Sequence, residues 1–164
     1  IMLSKMGERS LADITLVDLD VSQQVQTAVQ AFDALAKDQE KTLTAKIRPG
    51  IHVTADQKCL YEIVSILLDN AVKYCDDQGT VQVTLSGKKL GKGAVLTVSN
   101  QYAAGKDVDY TRFFERFYRG DESHNSDQAG YGIGLSMAEE LVQLLKGSIS
   151  VAYKNGIITF TVTL

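Results

Sequence analysis

Asn70, Lys73 and Tyr74 stand at i, i+3 and i+4 near the end of the segment DQKCLYEIVSILLDNAVKY, residues 56–74. A helix would set them on one face. An amide oxygen can ligate Mg²⁺, a hard cation that keeps several of its waters. An ammonium three residues on can reach a phosphate, and an aromatic ring beside it can stack on a purine. The same residues also suit the polar end of any helix, with the lysine set against the negative dipole. A second segment, GYGIGLSMAEELVQLLKG (130–147), puts Gly130, Gly132 and Gly134 at alternate positions ahead of an amphipathic run. Glycine lets backbone approach a ligand closely, and the start of a helix offers unpaired N–H groups and a positive dipole end. Together these suit a phosphate. A third segment is the aromatic knot FFERFYRGD (113–121). Its rings would anchor a long loop, and Arg116 and Arg119 carry planar forks that bond phosphate oxygens in pairs.

The elements that must position these residues follow from the pattern of the chain. At 164 residues there is room for one well-packed domain. A hydrophobic share of 45% and a charged share of 23% are those of a globular protein. The net charge of −3 gives no reason to expect a surface for nucleic acid or anionic membrane, and no apolar run reaches membrane-spanning length. Cys59 and Cys75 have neither metal spacing nor a disulfide framework, and read as two reduced, buried thiols. Residues 1–19 lack a clean period and read as a connector. Asp20 reads as the N-cap of a helix over about 21–40, with Gln23 in a capping box and Val25, Val29, Phe32 and Ala36 at helical spacing. Alternation predicts strands at 43–47 and 51–54 around the Pro49–Gly50 turn. Asp56 caps the next helix, which runs to about Tyr74. Strands follow at 80–85 and 94–99, then a long polar stretch over 101–131 of the kind that is usually functional. A helix over about 133–146 stops at Gly147, and a hairpin turns at Asn155–Gly156. The order predicts a two-layer α/β sandwich with helices on one face of the sheet.

ILLDNAVKY, FFERFYRGD and GYGIGLSMAEELV, in this order, resemble the N-box, F-box and second glycine box of sensor histidine kinase catalytic domains, within the wider gyrase/Hsp90/kinase/MutL superfamily. The resemblance covers residue 20 to the end of the chain. It implies a Bergerat fold: a mixed sheet of about five strands or more, three helices on one face, and a mobile ATP lid. It implies ATP and Mg²⁺ as cofactors. Asn70 would ligate the Mg²⁺, Lys73 contact phosphate, Tyr74 lie near the adenine, and Arg119, with Arg116, sit on the lid near the phosphates. Gly130, Gly132, Gly134 and the adjoining Leu135 would wrap the triphosphate. Glu62 matches a family position often filled by His or Glu that acts near the γ-phosphate; a surface Glu is the alternative.

The sequence departs from the family in three places. Ile66 stands where the N-box usually has a further Asn, and cannot bond phosphate, water or metal. Asn100 stands at the first glycine-box Asp that bonds the adenine amine, and Tyr102 and Ala104 replace both glycines. Asn100 to Phe114 spans 14 residues, the family spacing, so these are substitutions without insertion. An Asn oxygen can still accept from the amine, without charge assistance, so weaker or slower nucleotide binding is expected, not its absence. Third, neither His52 nor His124 has the setting of a phospho-acceptor; both read as ordinary surface histidines. The resemblance therefore implies an acceptor on an upstream dimerisation segment outside this chain, joined through residues 1–19. The whole protein would be a homodimer, membrane-anchored with this domain in the cytoplasm, and would pass phosphate on to a response regulator. The rival reading, favoured by Ile66, Tyr102 and Ala104, is a degenerate nucleotide-binding module with little or no kinase activity.

Overall fold

The computed structural model describes residues 13–88, 91–115 and 131–164. Among these, three helices lie on one face of a five-stranded mixed sheet, with a two-stranded ladder beside it. The strands are β1 (Val17–Asp20), β2 (Thr42–Ile47), β3 (His52–Ala55), β4 (Thr80–Gly87), β5 (Ala94–Gln101), β6 (Ser148–Lys154) and β7 (Ile157–Thr163). The helices are α1 (Val21–Asp38), α2 (Gln57–Tyr74) and α3 (Tyr131–Leu144).

The large sheet has the order β2-β4-β5-β7-β6, parallel only between β2 and β4. Strict alternation makes it two-faced. Val81, Val83 and Leu85, Leu96 and Val98, and Ile158, Phe160 and Val162 are buried beneath the helices. Thr84, Thr97 and Thr161 line up on the opposite face, where the Thr84 and Thr97 hydroxyls bond each other across the ladder. The helices close the core with Val25 and Ala28, with Leu60, Ile63, Val64, Leu67 and Leu68, and with Leu141 and Val142. Cys59 and Cys75 form no disulfide and are buried in this layer. The sandwich expected from the element order is the one observed.

Both expected N-caps form. Asp20 Oδ1 accepts the Gln23 N–H at 3.0 Å, and Asp56 Oδ1 accepts the Cys59 N–H at 2.8 Å. Asp56 Oδ2 also takes the Thr15 N–H at 2.6 Å, which ties the entry of the chain to the start of α2. Burial pushes the Asp56 carboxyl up, but the N–H donors of Thr15 and Cys59 outweigh it and hold it below its ordinary value.

Three boundaries differ from expectation. The end of the supposed connector is a strand: β1 pairs antiparallel with β3 from Val17↔Ala55 to Asp20↔His52. Its alternation, VDLD, lasts only four residues, too short to register as a period. His52 is half exposed there, its Nδ1 3.3 Å from Asp18 Oδ1. Helix α3 begins at Tyr131, so Gly132 and Gly134 are helical residues and not a loop ahead of the helix. And α3 stops through Lys146, which takes the left-handed conformation (φ +62). Gly147 is needed for space instead, because a Cβ on it would collide with the Thr163 carbonyl and Leu164.

Candidate functional site

Helix α2 buries one face in the core and meets α3 at Ile66, and just past its end the Asp76 N–H donates to the Gln101 carbonyl of β5 at 2.8 Å. On α2 Asn70 is 7% exposed, and its side-chain nitrogen has no hydrogen-bond partner among the described residues. A buried amide without a partner costs about 1–3 kcal/mol, so its persistence calls for an explanation beyond folding. One turn on, Lys73 is about half exposed and its Nζ lies 3.5 Å from Asp69 Oδ2. The lysine therefore pairs along its own helix and does not cap its end. Tyr74 is half-buried in the last turn. Glu62 is half-buried two turns before Asn70, beside a groove with Gln23, Gln24 and Thr27 of α1.

Ile66 lies between Glu62 and Asn70, and its Cγ2 is 3.7 Å from the place a Cβ on Gly134 would occupy. Ile66 and Gly134 thus form part of the packing between α2 and α3. Leu135, expected at the ligand, is 1% exposed and part of the core; its side chain seats α3. Gly134 and Gly132 occupy the first turns of that helix. Arg116, Arg119, Gly130 and His124 lie outside the described residues.

The second wall of the candidate site is the end of β5. Asn100 is 2% exposed on the helix-facing side of the sheet, and its Nδ2 donates to the Gln101 carbonyl at 3.0 Å. That bond orients the amide: the nitrogen faces the backbone carbonyl, and the oxygen turns the other way as an acceptor. Tyr102 does not stand as loose bulk. Its N–H donates to the Gly156 carbonyl at 2.7 Å, its own carbonyl accepts the Tyr153 hydroxyl at 2.8 Å, and its ring lies against Gly105. Ala103 and Ala104 begin a short 3₁₀ turn, Ala103–Asp107.

Around that turn the tyrosines form a clasp. Tyr110 stacks on Tyr153 at 5.6 Å, and its hydroxyl donates to the Gly105 carbonyl at 2.8 Å. Gly105 is buried, and a Cβ on it would collide with Tyr102, Tyr110 and Tyr153. The first two rings of the knot, the ones among the described residues, pack against the same stretch. Phe113 is 1% exposed, 5.0 Å from Tyr110 and 5.9 Å from Phe160, and Phe114 meets Phe160 edge-on at 6.1 Å.

Two side chains that sequence reasoning missed join these walls. Asp76, just past α2, accepts the Ala103 N–H on both carboxylate oxygens at 3.0 Å. Lys41, 9% exposed, donates from Nζ to the carbonyls of Val72 at 2.7 Å and Lys73 at 3.3 Å. Neither had a signal: an Asp in a turn and a Lys after a helix are ordinary surface choices.

The family model for histidine kinase-, DNA gyrase B-, and HSP90-like ATPases matches residues 55–164, from the strand before α2 to the end of β7. The chain belongs to this family. The histidine-kinase branch is indicated by its relatives. It is 30% identical to the sensor protein DltS of Streptococcus agalactiae over 147 residues, 90% of this chain and 36% of that protein. It is 30% identical to the sensor protein CiaH of Streptococcus pneumoniae over 125 residues, 76% of this chain and 28% of that one. The chain thus spans about a third of the length of the curated relatives it matches. The solved structure of the mycobacterial sensor histidine kinase MprB shares the fold, with a TM-score of 0.78 and 22% identity over 90% of this chain and 97% of that one. This histidine-kinase-type ATPase domain has no described helix long and apolar enough to cross a membrane. None of these likenesses favours the degenerate module over a kinase domain.

Proposed function

We propose that this domain binds ATP between the outer face of α2 and the end of β5, and that it supplies the γ-phosphoryl to a histidine on a dimerisation segment outside this chain. A response regulator would receive the phosphoryl next, and the whole protein would work as a membrane-anchored homodimer with this domain in the cytoplasm. The observation that carries the reading is the polar face of α2, where Asn70 shares one side with Lys73 and Tyr74 and its buried side-chain nitrogen, a donor, has no partner among the described residues. The family match supports ATP as the ligand.

Mg²⁺ fits the donor set. Among the described residues no group of three His, Cys, Asp or Glu side chains could hold a metal. Mg²⁺ at nucleotide sites is held by one or two protein oxygens together with phosphates and waters. Asn70 is the residue to supply that oxygen. When bound, the ion neutralises charge on the triphosphate. Lys73, released from Asp69, would add to that neutralisation, and Tyr74 would cover the purine. The Asn100 oxygen accepts from an exocyclic amine, which adenine presents and guanine lacks at that ring position, so ATP is selected over GTP. Arg116, Arg119, Gly130, Gly132 and Gly134 complete the phosphate end in this reading, with Glu62 beside the γ-phosphate. Transfer then rests on positioning and charge neutralisation.

Calorimetry with a non-hydrolysable ATP analogue tests the binding step. Mg²⁺-dependent binding of the adenine but not the guanine nucleotide is expected, and no binding of either would end the reading. Transfer is tested by adding the dimerisation segment of the same protein and looking for phosphohistidine.

A further inference from the structure

The C-terminus of α2 ends in an unusual way. A helix leaves its last four carbonyls without intrahelical donors, and many helices satisfy them with a left-handed residue just past the end. Helix α1 does so: Glu40 takes φ +59, and the N–H groups of Glu40 and Lys41 return to the carbonyls of Lys37 and Ala36 at 2.9 and 2.8 Å. Helix α2 does not. Cys75 leaves at φ −59, ψ 141, returning its N–H only to Ala71. The next two carbonyls, of Val72 and Lys73, are taken by the ammonium of Lys41.

That ammonium comes from far away in sequence, and the end of α1 delivers it. The reversal at Glu40 aims Lys41 inward beneath α2, and β2 then starts with the Thr42 N–H on the Gly79 carbonyl at 3.0 Å. Lys41 also stands near Cys75: burial pushes that thiol up, and the Lys41 charge partly offsets it. Burying an ammonium is costly unless it is well bonded, and an apolar side chain would fill the space at lower cost. A positive charge on the negative end of the helix dipole recovers part of that cost. The rest implies a role in fixing one geometry.

We infer that Lys41 is a positioning residue for the nucleotide site: by holding the carbonyls of Val72 and Lys73 it fixes the last turn of α2, and with it the side chains of Lys73 and Tyr74. It touches no ligand itself. The inference rests on the nucleotide reading above.

The test compares this 164-residue chain with Lys41→Met, which keeps the stem and removes the ammonium. Lys37→Ala, an exposed change near the end of α1, is the control. Affinity for AMP-PNP with Mg²⁺ is measured by calorimetry at a temperature where circular dichroism shows each variant folded. Nitrogen-15 spectra follow the backbone amides of Lys73 and Tyr74. Lys41→Met is expected to weaken binding about tenfold, the scale of one hydrogen bond to a charged group, and to move or broaden both amide signals. Lys37→Ala should leave both readouts as they were. If Lys41→Met lowers the thermal midpoint yet binds within twofold of the parent, Lys41 only stabilises the fold and the inference fails. Should the Met variant not fold, Lys41→Gln is read by the same two outcomes. A parent chain that does not bind AMP-PNP overturns the nucleotide reading, and the positioning role falls with it.

Discussion

The two walls of the candidate site are built by opposite means. The α2 wall departs from the family resemblance at Ile66 but keeps the residue types it leads one to expect at Asn70, Lys73 and Tyr74, and among the described residues the Asn70 amide nitrogen has no partner. The β5 wall carries Asn100, Tyr102 and Ala104 where the resemblance leads one to expect an acid and two glycines; Asn100 and Tyr102 are bonded into the fold, and Ala104 is exposed. Asn100 holds the Gln101 carbonyl, Tyr102 is held by Gly156 and Tyr153, and Gly105 sits beneath three tyrosine rings. In the proposed site the first wall leaves a polar group outside the bonding of the described residues. The other gives its polar groups to the fold, and substitutions that look degenerate one at a time are a rebuilt surface when taken together.

The contrast breaks most directly at Asn70. Asn70→Ala removes the proposed Mg²⁺ ligand, and Mg²⁺-dependent binding of an ATP analogue should fall by about 100-fold or more, beyond what an outer-shell change costs. The thermal midpoint should hardly move or should rise, since the lost nitrogen bonds nothing. A large drop in midpoint with little change in affinity would mean that Asn70 serves the fold, and the two walls would no longer differ.

At Gly105 the expectation is reversed. Gly105→Ala forces a Cβ into Tyr102, Tyr110 and Tyr153, and overpacking of this kind costs roughly 1–3 kcal/mol. The thermal midpoint should drop by several degrees. Affinity measured well below that midpoint should fall less than for Asn70→Ala. An unchanged midpoint would show that the tyrosine clasp is not a fixed part of the fold.

What could be read from the chain depended on how local the cause was. The face of α2 is a matter of 3.6-residue spacing, and Asn70, Lys73 and Tyr74 were visible in it. The strands of the large sheet announce themselves by alternation over six to eight residues. The β1 ladder has four residues and no room for a period. Gly132 and Gly134 argue against helix by intrinsic preference, yet α3 includes them, with Gly134 closely apposed to Ile66 of α2. The role of Lys41 depends on carbonyls 31 and 32 positions away, and that of Tyr153 on Tyr102 51 positions away. No local pattern encodes such meetings.

Acid offers a way to loosen the start of α2. The folded Asp56 carboxyl lies below its ordinary range, so the unfolded chain takes up that proton first as pH falls. The stabilisation is therefore whole near neutrality and is lost as pH drops below about 4. Asp56→Asn keeps an acceptor for the Cys59 N–H and removes the charge. Its deficit relative to the parent should be about 0.3–1 kcal/mol at pH 7, the usual weight of a negative charge at a helix start, and should shrink toward pH 3. A deficit independent of pH would show that the charge of Asp56 contributes nothing to the start of α2.

The smallest expected effect is the most telling for the β5 wall. If that wall were only a weakened version of the family pattern, Asn100→Asp would restore it: the adenine amine would meet a carboxylate, and charge assistance would tighten binding markedly. The geometry argues otherwise. Asn100 Nδ2 donates to the Gln101 carbonyl at 3.0 Å, and an aspartate has no hydrogen to put there. Its second oxygen would face a carbonyl oxygen in a site that is 2% exposed, where an unpaired charge is costly. Gain at the ligand and loss in the fold oppose each other, so affinity should change by less than about threefold while the thermal midpoint falls. Binding tightened tenfold at an unchanged midpoint would make the wall a weakened copy; a lowered midpoint with nearly constant affinity would mark Asn100 as part of a different solution, in which the amide both completes the strand end and selects the base.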